Sequence, residues 1–422
     1  MPRPNPFSLR VFLAIAALVT FAPALDLLAQ ENEIVVFAGG TLIDGHGGPP
    51  VRHAAVVVQG DRILFAGPAS EIEFPSNAVV HNLGGLTSLP GFFTTHVHEA
   101  SFIQSAPGRL ELSRLAQWAW EGVTTLRDVT SPREELLRYK QNEEVQRDPT
   151  LARLLMAGPC IEVPGGRAET YNRLIIYSPE DARQKIEDLL DDGADVVKLY
   201  FEDGSIFGES WNVMTTEEAR MIVKVAHGRG KKVTAHVQEA YLVEKALDAG
   251  VDDVCHSQVD EPVPDHLIER MVEQGMSLVP TLEMSNTWAP FLRTSLVNLS
   301  RMVELGVRVA IGTDYSYTFD IEFEVGMPLT EMLLMERGGM TPMQIIVAGT
   351  RNSAYVCGLE RELGTIEKGK IADLIAVDGD PLENLSALKH DLVMVVHGGV
   401  IIRDERPHAG QPLRPSGRRS LY

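Results

Sequence analysis

Ser88-Leu89-Pro90-Gly91-Phe92-Phe93-Thr94-Thr95-His96-Val97-His98 is an apolar, β-branched run that ends on two histidines one residue apart. Side chains alternate along a strand with a period of two, so His96 and His98 share one face, at a separation suited to chelating a single cation. Downstream the same texture recurs. Strand cores are expected at Ser88 to His96, Val123 to Asp128, Arg153 to Gly158, Val196 to Tyr200, Lys232 to His236, Asp253 to His256, Ser277 to Thr281 and Arg308 to Gly312. Stretches of helical periodicity lie between them, including Arg109 to Glu121, Pro179 to Asp192, Thr216 to Gly228 and Glu239 to Ala249, each closing near a glycine. Eight such units predict an α/β fold, a (β/α)8 TIM barrel over residues 88–363.

Upstream, residues 33–86 hold short alternating apolar runs broken by Gly and Pro, which read as small antiparallel strands. After a helical stretch from Pro342 to Val356, strand texture returns at Gly364 to Val377 and Val393 to Arg403. The simplest placement joins residues 30–87 and 364–405 in one β-sandwich built from both chain ends. Residues 406–422, rich in Pro, Gly and Arg, are expected to form a flexible tail.

The first 29 residues have the layout of a secretory signal peptide: Arg3 and Arg10 precede an apolar run from Val11 to Ala24, followed by small residues at Ala22, Ala24 and Ala29. Cleavage is expected after Ala24 or Ala29, giving a periplasmic or secreted protein with no membrane attachment. No cysteine precedes Cys160, which excludes a lipoprotein anchor. Composition agrees with a large soluble core, since 44% of the 422 residues are apolar and 23% charged. The net charge of -20 repels phosphate backbones, so nucleic acid is not an expected partner. Three cysteines, Cys160, Cys255 and Cys357, make neither a disulfide framework nor a thiolate zinc site, and in an oxidising compartment they are expected to be buried. Any metal must therefore be held by His, Asp, Glu or Lys.

Reactive groups of a parallel barrel sit where strands end and βα loops begin. Besides the histidine pair, Lys198, His236 and His256 close the fourth, fifth and sixth predicted strands, and Asp314 follows the eighth. Singly, each has an ordinary explanation: a lysine reaching solvent, a hydrogen-bonded core histidine, a helix cap. Together they place His, His, Lys, His, His and Asp at one end of one barrel. Tyr200 follows Lys198 by two residues, points the same way, and is a candidate substrate contact or simply packing. Arg127, Arg167 and His266 read as structural.

These residues, with Thr41-Leu42-Ile43-Asp44-Gly45, Gly122-Val123-Thr124-Thr125-Leu126-Arg127-Asp128 and the segment from Gly364 to Leu374, resemble the amidohydrolase superfamily over nearly the whole chain after the first 29 residues. The branch most similar holds imidazolonepropionases, Xaa-Pro dipeptidases, a carboxypeptidase and ochratoxin-hydrolysing amidases. Phe92-Phe93-Thr94-Thr95 departs from the usual Leu-Ile-Asp before the first histidine, but leaves both histidines in place. The resemblance implies two divalent cations, Zn2+ with Mn2+ or Co2+ as substitutes. His96, His98 and Asp314 would hold one and His236 and His256 the other, with Lys198 bridging as N6-carboxylysine. It further implies a hydroxide attacking an amide carbonyl, Asp314 as catalytic acid-base, and a homo-oligomer. The net charge of about +1 left at such a site favours a small-molecule or dipeptide substrate with a carboxylate beside the scissile amide: an Xaa-Pro dipeptide, an N-acyl amino acid or an ochratoxin-like aryl amide. A cyclic amide or lactone is the alternative substrate, and a non-catalytic scaffold the alternative of another class. The scaffold needs lost ligands, and an adenosine-deaminase-like site would lack the strand-four lysine.

Overall fold

The computed structural model describes residues 33–100, 110–167, 172–287, 289–316 and 325–406. The expected signal peptide lies outside the described residues, as does the tail beyond residue 406. Arg406 itself is not loose: it donates to both carboxylate oxygens of Asp404 and, at 3.0 Å, to the carbonyl of Asn82. Two charge-assisted bonds to one carboxylate are enough to hold a guanidinium in place.

The barrel strands run in the predicted order, from Phe92–His98 through Val123–Asp128, Arg153–Met156, Val196–Phe201, Lys232–Val237, Asp253–Cys255 and Ser277–Val279 to Arg308–Val309. Neighbouring strands are parallel, as βα crossovers require. No single ladder runs round the barrel; seven strands form one sheet and four another. The third and eighth strands are bent, and each belongs to both sheets. The third pairs with the second through Arg153–Met156, turns at Gly158 (φ 69°), and resumes as Cys160–Glu162 beside the fourth. The eighth pairs with the seventh through Arg308–Val309, breaks, and resumes as Tyr315–Ser316 beside the first.

Inside the barrel Arg127 and Asp253, both fully buried, form a two-pronged ion pair at 2.8 and 3.0 Å. Arg127 Nε also donates to the carbonyl of Thr95 at 2.6 Å, so the residue read as structural braces the strand that carries the histidine pair. All three cysteines are buried. Among the described residues no helix is long and apolar enough to cross a membrane.

Two further sheets stack beside the barrel. Ile34–Ala38, Ala54–Gln59, Arg62–Pro68 and Val79–Asn82 make one; Thr41–Leu42, Thr87–Pro90, Leu374–Val377, Leu392–His397 and Val400–Asp404 make the other. Alternation along Leu374–Val377 sorts the contacts. Leu374 and Ala376 join Phe37, Val56 and Met394 between the two sheets, while Ile375 and Val377 join the barrel core.

One expected boundary is corrected. Ser88 to Pro90 does not begin the first barrel strand but pairs antiparallel with Leu374–Val377 in the sandwich. The chain changes sheet at Gly91, whose N–H donates to Asp373 O at 2.9 Å and where a Cβ would lie 2.5 Å from Thr124 Oγ1. Only glycine fits so close an approach. The helical stretch after Pro342 is also not uniform: Pro342–Val347 and Ser353–Val356 are α-helical, with a wider π turn at Ala348–Asn352 between them.

Candidate metal centre

Period two along Phe92–His98 carries His96 and His98 to one side, with ring centroids 5.2 Å apart. Asp314 meets them from the break in the eighth strand. Its Oδ1 lies 3.1 Å from His96 Nε2 and 2.9 Å from His98 Nε2, and Asp314 N donates to His96 O at 3.0 Å. One donor atom from each of these three residues fits within a span of 4.8 Å. On the other side His256 packs 4.9 Å from the His96 ring and 4.4 Å from His236, and the four imidazoles form one continuous cluster.

Three of the strand ends adopt left-handed backbone at residues other than glycine: His256 (φ 72°), Thr281 (φ 47°) and Asp314 (φ 62°). Each such residue costs on the order of 1–3 kcal/mol and persists only where its surroundings impose it. The surroundings here are visible. Thr281 Oγ1 meets His256 Nδ1 at 2.8 Å, and the amides that follow, Leu282 N and Glu283 N, donate at 2.9 and 2.7 Å to the buried carboxylate of Glu331. Thus Glu331 fixes the turn, the turn fixes Thr281, and Thr281 orients an imidazole.

Burial pushes the imidazoles of His96 and His256 well below their ordinary value, assisted at His96 by Lys198 and at His256 by His236. Burial alone would raise the Asp314 carboxyl, but His96, through its charge and its hydrogen bond, and His98 hold it well below the usual range. A carboxylate held ionised beside His96 and His256, whose protonation burial disfavours, suits a divalent cation. Lys198 is 1% exposed, and its Nζ has no hydrogen-bond partner among the described residues. Buried polar groups are ordinarily paired, so a lysine nitrogen placed in this way leaves room for a further bonding partner at the centre. The donor set, nitrogen and oxygen without thiolate, therefore fits divalent cations, and the orphaned lysine fits a modified side chain between them.

All six predicted donors reach this cluster or its edge. Tyr200 stacks on His236 at 4.6 Å with an interplanar angle of 14°, and Lys198 Nζ lies 5.6 Å from its ring centroid. Sequence reasoning missed Glu202, which is buried, contacts His236 Nε2 at 3.1 Å and accepts from Arg167 Nη1 at 2.7 Å. Burial would raise its carboxyl, yet His236 and Arg167 hold it below the ordinary value. Its signal was present, because residue 202 continues the alternation of 198 and 200 one position past the strand Val196–Phe201. Thr281 and Glu331 carried none.

A sequence profile of the Amidohydrolase family matches residues 87–402. Ochratoxinase of Aspergillus niger is 25% identical over 449 aligned positions, which cover 92% of this chain and 88% of that protein. Imidazolonepropionase of Brevibacillus brevis is 26% identical over 343 positions, 78% of this chain and 74% of that one. The crystal structure of a Xaa-Pro dipeptidase with bound methionine in its active site superposes with a TM-score of 0.74 at 23% identity, covering 88% of this chain and all of the other, a likeness of fold. With that profile spanning the barrel and most of the second sandwich sheet, the chain belongs to the amidohydrolase family and is a hydrolase of amide bonds.

Proposed function

We propose that this protein is an exported, binuclear metal-dependent hydrolase that cleaves an amide bond beside a carboxylate. The observation that carries the reading is the convergence of His96, His98 and Asp314 opposite His236 and His256, with the orphaned Lys198 amine behind them. His96, His98 and Asp314 would hold one cation, His236 and His256 the second. Lys198 would join them as N6-carboxylysine, formed by addition of its amine to carbon dioxide with loss of a proton, and would supply anionic oxygen donors. Divalent cations bound there supply Lewis acidity, which polarises a carbonyl and acidifies water.

The remaining work falls to side chains. Asp314, ionised at neutral pH, takes the proton released as water attacks the scissile carbonyl and delivers it to the departing amine nitrogen. Tyr200 forms a flat wall against His236, on which a substrate rests. The buried imidazoles keep their lone pairs free because burial disfavours their charged forms.

The substrates proposed are Xaa-Pro dipeptides, N-acyl amino acids and ochratoxin-like aryl amides, in line with the relatives named ochratoxinase and Xaa-Pro dipeptidase. Similarity to an imidazolonepropionase favours a second reading, opening of a cyclic amide. Metal analysis of the purified protein, combined with kcat/KM for acids and their C-terminal amides, decides. About two divalent ions per chain and a strong preference for the acid support the first reading. Equal rates on acid and amide remove it and leave the cyclic substrates.

A further inference from the structure

Arg167 stands in the segment that follows the third barrel strand, at the rim of the candidate centre. Its Nη1 donates to Glu202 Oε2 at 2.7 Å, and that same oxygen lies 3.1 Å from His236 Nε2, so one carboxylate oxygen separates the guanidinium from a ring of the centre. Glu202 is fully buried, whereas the Arg167 side chain is 35% exposed: the pair has a closed inner end and an open outer one.

Two aromatic rings flank the guanidinium. Its carbon lies 5.6 Å from the Phe207 ring centroid and 5.8 Å from that of Trp211, both in the segment after the fourth strand. That segment is firmly built. Trp211 N donates to Asp203 O at 2.7 Å, and the indole sits over Gly204 (φ 82°), where a Cβ would come within 2.9 Å of it. Aromatic faces hold a guanidinium by cation–π attraction and leave its in-plane N–H donors for an anion. Glu202 engages one terminal nitrogen and divides its charge with His236, and a guanidinium has five N–H donors in a fork.

We propose that Arg167, held beside Phe207 and Trp211, is the carboxylate-recognising residue of this site, and that the two rings select an apolar or aromatic side chain next to that carboxylate. The assignment rests on the proposed substrate class and adds what that reading lacks, a residue that reads the anion. The sequence offered Arg167 only as one more charged loop residue.

The test measures kcat/KM for acetyl-amide hydrolysis of N-acetyl-phenylalanine and N-acetyl-phenylalaninamide in wild type, Arg167→Met and Arg167→Lys, with metal content and calorimetric binding of free phenylalanine for each. Arg167→Met should lose about 10²-fold on the acid, mainly in KM, with the amide within about threefold, so the acid-to-amide ratio collapses. Metal content should stay at the wild-type level, and phenylalanine binding should weaken in step. Arg167→Lys, which keeps the charge without the fork, should restore part of the ratio. An equal fall on acid and amide would show that Arg167 acts only through Glu202 and His236, and overturns the assignment. So does a high wild-type ratio that survives in both variants. A wild-type ratio near one removes the substrate reading and this assignment with it.

Discussion

Among single residues, Lys198 has the sharpest chemistry. If Lys198, whose Nζ has no hydrogen-bond partner among the described residues, is a carbamate, Lys198→Ala should lose most activity, and added short carboxylic acids should restore part of it by filling the vacated space. Lys198→Arg should be inactive, since a guanidinium stays protonated; turnover near wild type in that variant would refute the carbamate. Asp314 divides differently. Asp314→Asn keeps an oxygen for the cation but cannot shuttle a proton, so it should retain much of its metal while turnover falls on the order of 10²-fold or more. Loss of all metal instead would make its role mainly that of a ligand. Replacing His96 and His98 together by Ala should remove at least one metal per chain, read by elemental analysis. These six positions were legible because strand alternation and strand ends are visible in sequence. Glu202 was legible in hindsight by the same alternation, but a carboxylate just past a strand end carries no meaning until its neighbours, His236 and Arg167, are known.

Individual elements owe their precision to the turns that end them. Thr281 is left-handed, abuts His256, and is followed by amides anchored on Glu331, which burial pushes up to about 8 despite those two donors. Thr281→Val removes the hydroxyl facing His256 Nδ1 and keeps the shape, so metal affinity should fall about 10- to 100-fold, measured by competition with a chelator, with secondary structure unchanged. Undiminished affinity would show that His256 needs no such orientation. No local pattern announces this arrangement, because Glu331 lies on the helix Leu329–Arg337, far along the chain from the turn it fixes. The same non-locality hid the true start of the first barrel strand. Leu89 and Phe92 look alike in sequence; only the partner strand Leu374–Val377 and the close approach at Gly91 assign them to different sheets.

Across the whole molecule, Asp373 ties barrel to sandwich. It accepts from Arg153 on the third barrel strand at 2.9 Å and from Gly398 N at 2.7 Å, and its own carbonyl accepts from Gly91 N. Burial raises its carboxyl, but Arg153, His397 and the Gly398 amide more than offset this and hold it below its ordinary 3.8. A depressed carboxyl contributes stability above its unfolded value, near ~3.9, and loses it as pH falls through the lower folded value. Asp373→Asn should therefore cost about 3 kcal/mol in denaturant unfolding at pH 7. The gap from wild type should narrow below pH ~4; a gap constant down to pH 3 would place the effect in packing instead. The shared sandwich also sets an order of assembly. Thr87–Pro90 leaves the ribosome before any of the barrel, while its partner Leu374–Val377 follows after all of it, tens of seconds later at ordinary rates of synthesis. Until then the strand edge is unpaired and Gly91 lacks the carbonyl that seats the histidine strand. A nascent chain halted just short of Asp373 already contains His96, His98, Lys198, His236, His256 and Asp314 and the barrel strands that pair with Phe92–His98, yet lacks the Asp373 carbonyl and the sandwich strand that receive Gly91 and Ser88 to Pro90. The last strands made thus close the sheet that anchors the chain just before the histidine strand, so the two ends of the sequence meet beside the candidate centre only when synthesis is nearly done.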